Sequence, residues 1–556
     1  MSNLKKIVCF ICLFMGCVNV LFAQTQQGLN IMGETPGDNS GSSVSMPDAY
    51  TVAIGSWSSS AGAYYAGQTR VFDWDGSNWL QKGSGINGEV EGDWSGHSVS
   101  MPDANTLAIG IPRHDDAGND AGKTRVYTWN GTDWVQKGSD IDGEAQEDRS
   151  GYCVTMPDAN TIAIGAPKNN GTASESGQVR IYSFDGADWV QKGIDIDGEA
   201  MWSRSGKSIS MPDINTIAIG AFENSEFGQF SGHVRVFEWN GSSWVQKGVD
   251  IDGEAPNTWL GYSVSMPDAN TLAIGSPAYD NVESDRGNVR IYKWNGAWQQ
   301  AGSDITGEAF GDNMGFSVSM PDEFTLAVGV VGKDETAFEA GQFRLYTWEP
   351  AISDWTQKGM DINGTLSYDY LGWWVSMPDP GTVAIGARQG GSGPGYVQVY
   401  NICSVNNTIS TNQGTISSTA SSANYQWLDC DNGYATILGE TGQDFTPNAN
   451  GNYSVEVSYG GCIDTSECVV VNWVGLVEMT FKSTLAIYPN PVKDNLHFDF
   501  DHEGSVTIEI TDVSGKKLQT KSLEANIVDV KMLPQGFYLL KVFYDNKVVT
   551  GRFIKQ

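Results

Sequence analysis

Length, composition and charge restrict the kind of protein that this chain can be. It has 556 residues, 40% of them hydrophobic and 11% aromatic, which is enough for more than one domain with a buried core. Abundant glycine, threonine, valine and tryptophan, without a long helical periodicity, favour an all-β protein. The net charge of −33 argues against nucleic acid and anionic membranes as partners and favours solubility and cation binding.

The N-terminal segment has the features of a secretory signal peptide. Lys5 and Lys6 precede an apolar run, and the small Ala23 stands before Gln24. We predict that residues 1–23 are removed by cleavage between Ala23 and Gln24. A membrane anchor would require a longer uninterrupted apolar span. The mature protein is therefore predicted to be secreted, with no transmembrane segment.

One unit is repeated seven times in the next part of the chain. Each copy begins with Met-Pro-Asp and continues into Thr, an apolar residue, Ala, Ile or Val, and Gly, as in the segment TLAIG that starts at Thr106. A variable stretch, a strand such as GNVRIYKWNG and a strand such as WVQKGSDIDGE complete the copy. The repeated methionines are 54 to 57 residues apart and lie at Met46, Met101, Met156, Met211, Met266, Met320 and Met377.

Seven copies of a four-stranded unit predict a seven-bladed β-propeller over residues 27–402. The seventh copy stops at Ile402 without the outer strand that the other copies have. The segment from Gly28 to Glu34 matches that missing strand in phase. We therefore predict that the N-terminal strand completes the last blade and leaves no unpaired edge.

The two rims of the predicted propeller differ in sequence variation. The Met-Pro-Asp and Trp-Asn-Gly turns lie on one rim. The other rim carries the Asp-Gly-Glu crossover and the loop between the second and third strands, which varies most among the copies, as in the loops that begin at Pro112, Pro167, Phe222 and Pro277. Variable loops on a rigid scaffold are where binding specificity is usually found, so this rim is the predicted binding surface.

The repeat resembles the FG-GAP family, through phrases such as YSVSMPDANTLAIGSP, Tyr262 to Pro277. The resemblance covers residues 27–402 and implies the propeller fold found in integrin α-chain heads and in many bacterial surface proteins. Calcium in that family lies in an aspartate-rich turn, whereas the segment MPDANT offers one Asp and one Asn. The resemblance therefore does not extend to that calcium turn.

The acidic crossovers are the best metal candidates in the sequence, and calcium is the only cofactor that they suggest. Three copies contain Asp-x-Asp-Gly-Glu, and Ca²⁺ takes six to eight oxygen ligands. In the alternative interpretation the glycine forms the turn, and the acids are solvated or pair with arginine. Copies such as GINGE and DITGE keep the turn without the ligands, which favours this alternative. The candidate residues are Asp140, Asp142, Glu144, Asp195, Asp197, Glu199, Asp250, Asp252 and Glu254.

Arginine and tryptophan each recur once per blade in six copies. A ligand-binding ring of arginines and a sugar-stacking set of tryptophans are both conceivable. Repetition within a blade favours a structural role, with the arginines packed over rings or paired with carboxylates and the tryptophans capping the blade core. The residues are Arg70, Arg125, Arg180, Arg235, Arg290 and Arg344, and Trp79, Trp134, Trp189, Trp244, Trp298 and Trp355.

Residues 403–474 are predicted to form an Ig-like β-sandwich, interpreted as a spacer. Short alternating strands surround Trp427, and four cysteines of an exported chain fall within this window. Cys153, in the propeller, is interpreted as a tolerated small residue rather than a nucleophile. Two disulfides are predicted, with all three pairings open, among Cys403, Cys430, Cys462 and Cys468.

The C-terminal segment 478–556 resembles the type A C-terminal sorting domain of the type IX secretion system. The matching elements are IYPNPVKDNL, ITDVSGKKL, LPQGFYLLKV and a closing RFIK, in that order. The resemblance implies recognition by the type IX machinery, followed by release or attachment at the cell surface. We predict a small β-sandwich in which Gly515 and Gly536 allow tight turns. The residues assigned to the sorting signal are Tyr488, Pro489, Asn490, Pro491, Gly515, Gly536 and Tyr538.

No catalytic motif accompanies these domains. The five histidines lack His-Glu-x-x-His spacing, and neither Gly-x-Ser-x-Gly nor the sialidase aspartate box occurs. We therefore predict a non-enzymatic surface protein that binds or adheres to a glycan or protein. One alternative is a secreted polysaccharide hydrolase with carboxylates in the propeller channel, since such chemistry needs only two suitably spaced acids. The other is a structural component of the cell surface or biofilm.

Overall fold

The computed structural model describes residues 24–279, 285–390, 393–402, 408–412, 414–420, 423–459, 462–472, 485–499, 505–523, 525–544 and 547–556. The predicted signal peptide, with Ala23, lies outside these residues, and Gln24 begins the first strand. The chain divides into two compact units. One extends to Phe445 and includes Asn452–Val469, and the other consists of Thr446–Gly451 and Val470–Gln556.

Seven antiparallel sheets, blades 1 to 7 in chain order, form a closed ring, which confirms the predicted all-β propeller. Within each blade the strands follow one another in space from the first to the fourth. The first strands of successive blades are in contact, and that of blade 7 contacts that of blade 1. These innermost strands are Ser43–Asp48, Ser98–Asp103, Cys153–Asp158, Ser208–Asp213, Ser263–Asp268, Met314–Asp322 and Leu371–Asp379.

The second and third strands form the middle of each blade. The second strands are Thr51–Ser56, Thr106–Ile111, Thr161–Ala166, Thr216–Ala221, Thr271–Ser276, Thr325–Val330 and Thr382–Ala387. The third strands are Gln68–Trp74, Lys123–Trp129, Gln178–Phe184, His233–Trp239, Asn288–Trp294, Gln342–Glu349 and Tyr396–Ile402.

The fourth strand is the outer edge and is interrupted in most blades. Blade 6 has one continuous strand, Asp354–Asn363. In blades 1 to 5 the two segments are Trp79–Gln81 and Ile86–Asn87, Trp134–Gln136 and Ile141–Asp142, Trp189–Gln191 and Ile196–Asp197, Trp244–Gln246 and Ile251–Asp252, and Trp298–Gln300 and Ile305–Thr306.

The N-terminal strand supplies the outer strand of blade 7, as the missing repeat element predicts. Gln24–Gln26 pairs antiparallel with residues 400–402. Ile31–Met32 pairs with Val397 and Tyr396. The propeller is therefore closed by strands from opposite ends of its own sequence, and the edge of blade 7 is paired.

The second strand is apolar throughout because neighbouring sheets cover both of its faces. In blade 2, Leu107, Ala108 and Ile109 are fully buried. A Cβ atom built at Gly110 would clash with the carbonyl oxygen of Gly151 in the next blade. Close packing between neighbouring sheets requires small residues at these positions, which explains the recurrent Ala-Ile-Gly.

The Met-Pro-Asp segment ends the first strand of each blade and leads into the turn to the second strand. In blade 2 the Asp103 carboxylate accepts a hydrogen bond of 2.7 Å from the Asn105 N–H. The first and second strands shift register between Ser100 and Asp103. The same bulge recurs in all seven blades, so the repeated phrase marks where each blade turns back.

Two repeated side chains bond each blade to its neighbour. The serine before Met-Pro-Asp accepts a hydrogen bond of 2.9–3.1 Å from the methionine N–H of the next blade at six of the seven interfaces, and Ser376 closes the ring onto Met46. The outer-strand tryptophans donate through Nε1–H, at 2.8–3.1 Å, to backbone carbonyls of the preceding blade. The tryptophans therefore join blades as well as packing on them.

Blade 2 holds a buried histidine between two carboxylates. His114 Nδ1 lies 2.9 Å from Asp93, which also accepts hydrogen bonds from backbone N–H groups of the crossover. His114 Nε2 lies 2.7 Å from Asp116. Burial and the nearby Lys123 ammonium lower the pKa of His114, but hydrogen bonds to the two carboxylates outweigh them and raise that pKa above its usual value.

Residues 408–471 form two further sheets. One contains Ile409–Asn412, Thr415–Ser418 and Asp444–Phe445, and the other contains Ala435–Thr436, Asn424–Asp429, Gly451–Tyr459 and Cys462–Thr465, with Val469–Val471 following in the chain. Trp427 is fully buried and donates to the Gly442 carbonyl at 2.9 Å. The Ig-like class stays a prediction.

The structure settles one of the cysteine pairings. Cys430 is bonded to Cys468, which leaves Cys403 and Cys462 as the other predicted pair. Cys403 lies outside the described residues, and the side chain of Cys462 is not described. In the part of the chain that the structure describes, the one helix is the short 3₁₀ turn Cys430–Asn432, and no helix is long and apolar enough to cross a membrane.

The C-terminal strands form a small two-sheet sandwich. The sheets contain Ala486–Tyr488, Asn495–Asp499 and Ile527–Asp529, and Lys517–Leu523, Val506–Asp512, Gly536–Tyr544 and Lys547–Lys555. The core between them includes Val492, Leu496, Phe498, Ile508, Ile510, Leu540, Val542 and Phe553.

The predicted sorting-signal residues have different structural roles. The Asn490 side chain donates to the Arg552 carbonyl at 3.0 Å and accepts from the Ile554 N–H at 2.8 Å, so the Tyr-Pro-Asn-Pro segment is fixed to the last strand. Tyr538 is buried and donates to the Pro534 carbonyl at 2.8 Å.

The structure corrects one of the two predicted glycine turns. Gly515 lies in a turn with a φ of 84°, which favours glycine. Gly536 instead begins an extended strand, paired with Lys555, and is not among the residues with positive φ.

Candidate functional site

The centre of the propeller has a cavity on the predicted binding rim. The residue four positions before each Met-Pro-Asp methionine lies immediately before the first strand in blades 1 to 5 and near its start in blades 6 and 7, and all seven such residues line this cavity of about 280 Å³. We call them the ring residues. They are Ser42, His97, Tyr152, Lys207, Tyr262, Phe316 and Trp373.

Six of the ring residues form a continuous arc. The rings of His97 and Tyr152 are 4.3 Å apart between centroids. The Lys207 ammonium lies over Tyr152 at 5.2 Å and over Tyr262 at 4.2 Å. The arc continues through Phe316 and ends at Trp373, with centroid separations of 4.9 Å and 4.4 Å. Ser42, the seventh ring residue, interrupts the aromatic wall.

Residues at the start of two variable loops enlarge the wall beside this interruption. Trp57 lies 4.8 Å from Trp94, and Trp94 stacks on His97. Arg388 lies over the Trp373 ring at 3.6 Å. Trp57 and Arg388 each follow directly after a second strand. The predicted loop rim therefore contributes to the cavity, but mainly through the first residues of loops.

The cavity is cationic although the chain is strongly acidic. Lys207 and Arg388 line it, and among the described residues neither has a salt-bridge partner. The Arg388 Nε is buried without a hydrogen-bond partner in the described part of the chain. None of the described lining residues is Asp or Glu. Two positive charges therefore face the cavity, and no carboxylate among the described lining residues neutralises them.

Burial sets the protonation of the other polar groups. Burial, together with the positive charge of Lys207, lowers the pKa of His97 to about 4, so that the imidazole is neutral at physiological pH. Burial raises the pKa of the Cys153 thiol. Cys153 is free and buried, and a raised pKa keeps it a thiol, which suits the small-residue interpretation rather than a nucleophile.

In five blades a bulky residue occupies a left-handed backbone position three residues before the ring residue. The residue seven positions before each Met-Pro-Asp methionine has a φ between 52° and 59° in every blade. Asparagine tolerates this conformation, but bulky residues rarely adopt it. Such backbone strain is often retained at binding sites. The seven residues are Asn39, Trp94, Arg149, Arg204, Trp259, Asn313 and Tyr370.

The variable loops themselves are fastened to the neighbouring crossovers. The Glu147 N–H donates to the Asn119 carbonyl at 2.8 Å, and the Trp202 N–H donates to the Ser174 carbonyl at 2.9 Å. Arg204 also bonds Glu175 at 2.7 Å. The loops therefore support the rim, and their role in ligand specificity stays a prediction.

The repeated arginines pair with the crossover glutamate of the preceding blade. The separations run from 2.8 Å to 3.9 Å, for Arg70–Glu34, Arg125–Glu89, Arg180–Glu144, Arg235–Glu199, Arg290–Glu254 and Arg344–Glu308. The first aspartate of the triad faces its own blade instead, as when Asp140 bonds Lys123 and Arg125.

The acidic triads are consequently divided between two blades. Among the described residues, no group of ligand atoms close enough to share an ion contains all three acids of one triad. Asp140 and Asp142 meet Asp116, whereas Glu199 and Asp250 meet each other across a blade interface. Calcium binding by one triad stays a prediction.

The sequence did contain a signal for the ring residues. In each copy a single variable letter stands between an invariant glycine and the serine- or valine-rich start of the first strand, as in GHSV, GYCV, GKSI and GFSV. Strand order alone does not reveal that these letters face a common axis. The sequence therefore draws attention to the longer loops, whose variation is more extensive.

Comparison with known proteins identifies the C-terminal segment. Residues 486–556 match the secretion system C-terminal sorting domain. The protein is therefore exported by the type IX secretion system to the cell surface or the extracellular space. Among curated proteins, no significant match to this chain exists.

Solved structures with significant similarity include a β-propeller domain. The β-propeller domain of the Trilobed protease from Pyrococcus furiosus is 8% identical, with a TM-score of 0.38, over 67% of this chain and 96% of that chain. The WD40 domain of SCAP from fission yeast is 11% identical, with a TM-score of 0.36, over 68% and 98%. PorZ, a surface component of the type-IX secretion system of Porphyromonas gingivalis, is 12% identical, with a TM-score of 0.15, over 96% and 100%. Similarity at this level carries no information about function.

Proposed function

We propose that this exported propeller is a non-catalytic binding protein that recognises an acidic carbohydrate in the central cavity. The observation that carries the proposal is the arc of ring residues from His97 to Trp373, with the uncompensated cations Lys207 and Arg388 in its wall. The rest of the protein is acidic, with a net charge of −33. Positive charge is therefore concentrated where an anionic ligand would enter.

The wall chemistry suits a sugar that carries a carboxylate. Aromatic faces accept the CH-rich faces of sugar rings, and their edges leave room for hydroxyl groups. An arginine offers two parallel N–H donors to a carboxylate, while a lysine acts as a point charge. The volume of about 280 Å³ lies at the lower end of small-ligand cavities. A terminal uronic acid or a similar acidic sugar fits these requirements.

The same wall supports binding rather than hydrolysis. Glycoside hydrolysis commonly requires a pair of carboxyl groups about 5–9.5 Å apart. The described residues that line the cavity include no carboxylate. A hydrolase with carboxylates in the channel would need acids at this position. Adhesion to an acidic surface or matrix polysaccharide is the activity that the geometry favours.

Titration calorimetry on the mature full chain tests the proposal. The probes are an oligouronate and a neutral gluco-oligosaccharide of the same length. We expect the oligouronate to bind and the neutral sugar to bind at least about tenfold more weakly, since a charge-assisted bond contributes about 1.4 kcal/mol or more. Lys207→Gln and Trp373→Ala should each weaken oligouronate binding by at least about tenfold.

Lys293→Gln is the matched control because this lysine lies near the opposite rim and pairs with Glu323. Its binding should equal that of the unmodified protein. Equal affinity for acidic and neutral sugars, or unchanged binding in both cavity variants, would refute the proposal. Cleavage of the oligouronate would establish the hydrolase alternative, and binding only to acidic peptides would replace the carbohydrate with a protein ligand.

A further inference from the structure

Blade 4 contains an acidic cluster around a buried histidine. Glu199, Glu226, His233 and Asp250 each place one ligand atom within 4.8 Å of the others. Glu199 comes from the crossover of blade 3, and Glu226 from the variable loop of blade 4. His233 begins the third strand, and Asp250 immediately precedes the second segment of the outer strand. Four parts of the chain, from two blades, therefore meet at one point.

The histidine in this cluster lacks any hydrogen-bond partner in the described structure. His233 has 0% side-chain exposure, and neither ring nitrogen has a partner. Its Nδ1 lies 3.6 Å from an oxygen of Asp250 and 4.0 Å from one of Asp252, and that Asp252 oxygen is also buried without a partner. Buried polar groups are normally hydrogen-bonded. Here a nitrogen and carboxylate oxygens face one another at 3.6 Å and 4.0 Å without forming a hydrogen bond.

The equivalent position in blade 2 shows what can fill this space. Lys123 occupies the place of His233, and its ammonium lies 2.9 Å from Asp116 and 2.9 Å from Asp140. In the repeat alignment Asp116 corresponds to Glu226, and Asp140 to Asp250. Blade 2 thus carries its own cation inside the same acidic cluster.

In blades 3 and 5 a side-chain amide donates the hydrogen bond to the aspartate at this position. Gln178 donates to Asp195 at 3.1 Å in blade 3, and Asn288 donates to Asp304 at 3.1 Å in blade 5. In blade 4 the acids remain, but the internal donor has been replaced by an unpartnered histidine. Of the equivalent residues described in blades 2 to 5, His233 alone donates no hydrogen bond to the cluster.

We propose that blade 4 binds a divalent transition metal ion through His233, Glu199, Glu226 and Asp250. The ion takes the place that the Lys123 ammonium has in blade 2. Mixed imidazole and carboxylate ligands suit Zn²⁺ and similar ions, whereas Ca²⁺ prefers oxygen ligands alone. Ligand atoms of a tetrahedral zinc ion are roughly 3.4 Å apart, so small side-chain movements would complete the coordination.

The remaining contacts of the ligands are compatible with this role. Arg235 lies 3.2 Å from Glu199, and Gln246 donates to Asp250 Oδ1 at 2.6 Å. These partners orient the carboxylates and leave the Asp250 oxygen nearer to His233 for the ion. Glu199 and Glu226 are exposed, which gives an ion access from solvent. The bound metal would fasten the variable loop of blade 4 to blade 3 at the binding rim.

Calorimetry and native mass spectrometry on the chelator-treated mature chain test the metal site. The probes are Zn²⁺, Mn²⁺ and Ca²⁺ salts. We expect one tightly bound Zn²⁺ per chain and weaker Ca²⁺ binding. His233→Lys, which installs the residue of blade 2, should reduce Zn²⁺ affinity at least about a hundredfold. Glu226→Gln, on an exposed loop, should weaken it about tenfold or more without affecting folding.

His114→Gln is the control because it removes another buried histidine beside carboxylates, in blade 2. This variant should retain the zinc stoichiometry and affinity. Anomalous scattering at the zinc edge should place the ion beside His233. The site is disproved if no zinc binds, if Ca²⁺ binds more tightly than Zn²⁺, or if zinc affinity is the same in the unmodified protein, His233→Lys and Glu226→Gln.

Discussion

The closure of blade 7 by the N-terminal strand makes Ile31 a sensitive position. Ile31 is 7% exposed and packs in a core cluster with Val397 and Val399. Its counterpart in blade 3, three repeats later, is Ile196, which is 5% exposed. The two isoleucines therefore have nearly equal burial. They differ in that Ile196 is held by chain on both sides, whereas Ile31 lies on a strand at the start of the propeller.

Truncation of either isoleucine to alanine should cost about 2–5 kcal/mol, because methylene groups leave the core and a cavity remains. In Ile31→Ala the strand can open locally without unfolding the ring. A loss of about 3 kcal/mol corresponds to a roughly hundredfold fall in protection against hydrogen exchange. In Ile196→Ala, local opening requires two loops to rearrange, so the loss should appear as global destabilisation.

Hydrogen exchange followed by mass spectrometry distinguishes the two cases. The diagnostic amides in blade 7 are Gln27 and Gly33, which donate to Val399 and Gly395 at 2.7 Å and 2.8 Å. Their counterparts are Lys192 and Gly198, with distances of 2.7 Å and 2.8 Å. Only Ile31→Ala should give selective exchange in its outer strand. Equal local exchange in the two variants would refute this reasoning.

Three other predictions follow from single contacts. Ser376→Ala leaves the buried Met46 N–H unpaired and should lower the free energy of unfolding by about 1–3 kcal/mol in a urea titration; an unchanged midpoint would contradict a role in ring closure. Because carboxylates raise the pKa of His114, its stabilising effect is present below about pH 6.5 and fades as the pH rises through the folded-state pKa. The stability difference between the unmodified protein and His114→Gln should therefore be larger at pH 5.5 than at about pH 8.5. A difference that grows with pH would contradict a raised pKa of His114 in the folded protein. Reduction of Cys430–Cys468 should destabilise the module formed by residues 408–471 by about 2–4 kcal/mol, measured as faster proteolysis within it, with no change in the propeller.

The sequence predicted the architecture because the fold is repeated. Seven Met-Pro-Asp turns fixed the number of blades, and the incomplete seventh copy indicated which terminal segment closes the ring. The tail was recognised for a different reason, since its motifs occur together and in order. These signals lie along the chain and need no knowledge of distant contacts.

The candidate sites depend on contacts between repeats, and linear patterns describe those poorly. Asp250 and Glu254 are close in sequence, but Glu254 pairs with Arg290 of the next blade, and Asp250 meets Glu199 of the preceding one. The ring residues were missed because each is one letter in an otherwise constant phrase. The pairing of Cys430 with Cys468 was likewise undetermined, since spacing allowed all three arrangements.

The pairing between residues 24–32 and 396–402 also sets an order of events during biogenesis. Its partners are separated by almost the whole length of the propeller, and contacts of such high sequence separation form slowly. The ring cannot close until the seventh repeat has emerged from the membrane it crosses first. Until then the N-terminal strand has no partner. The chain should therefore stay in an open, export-competent state until its last blade is available.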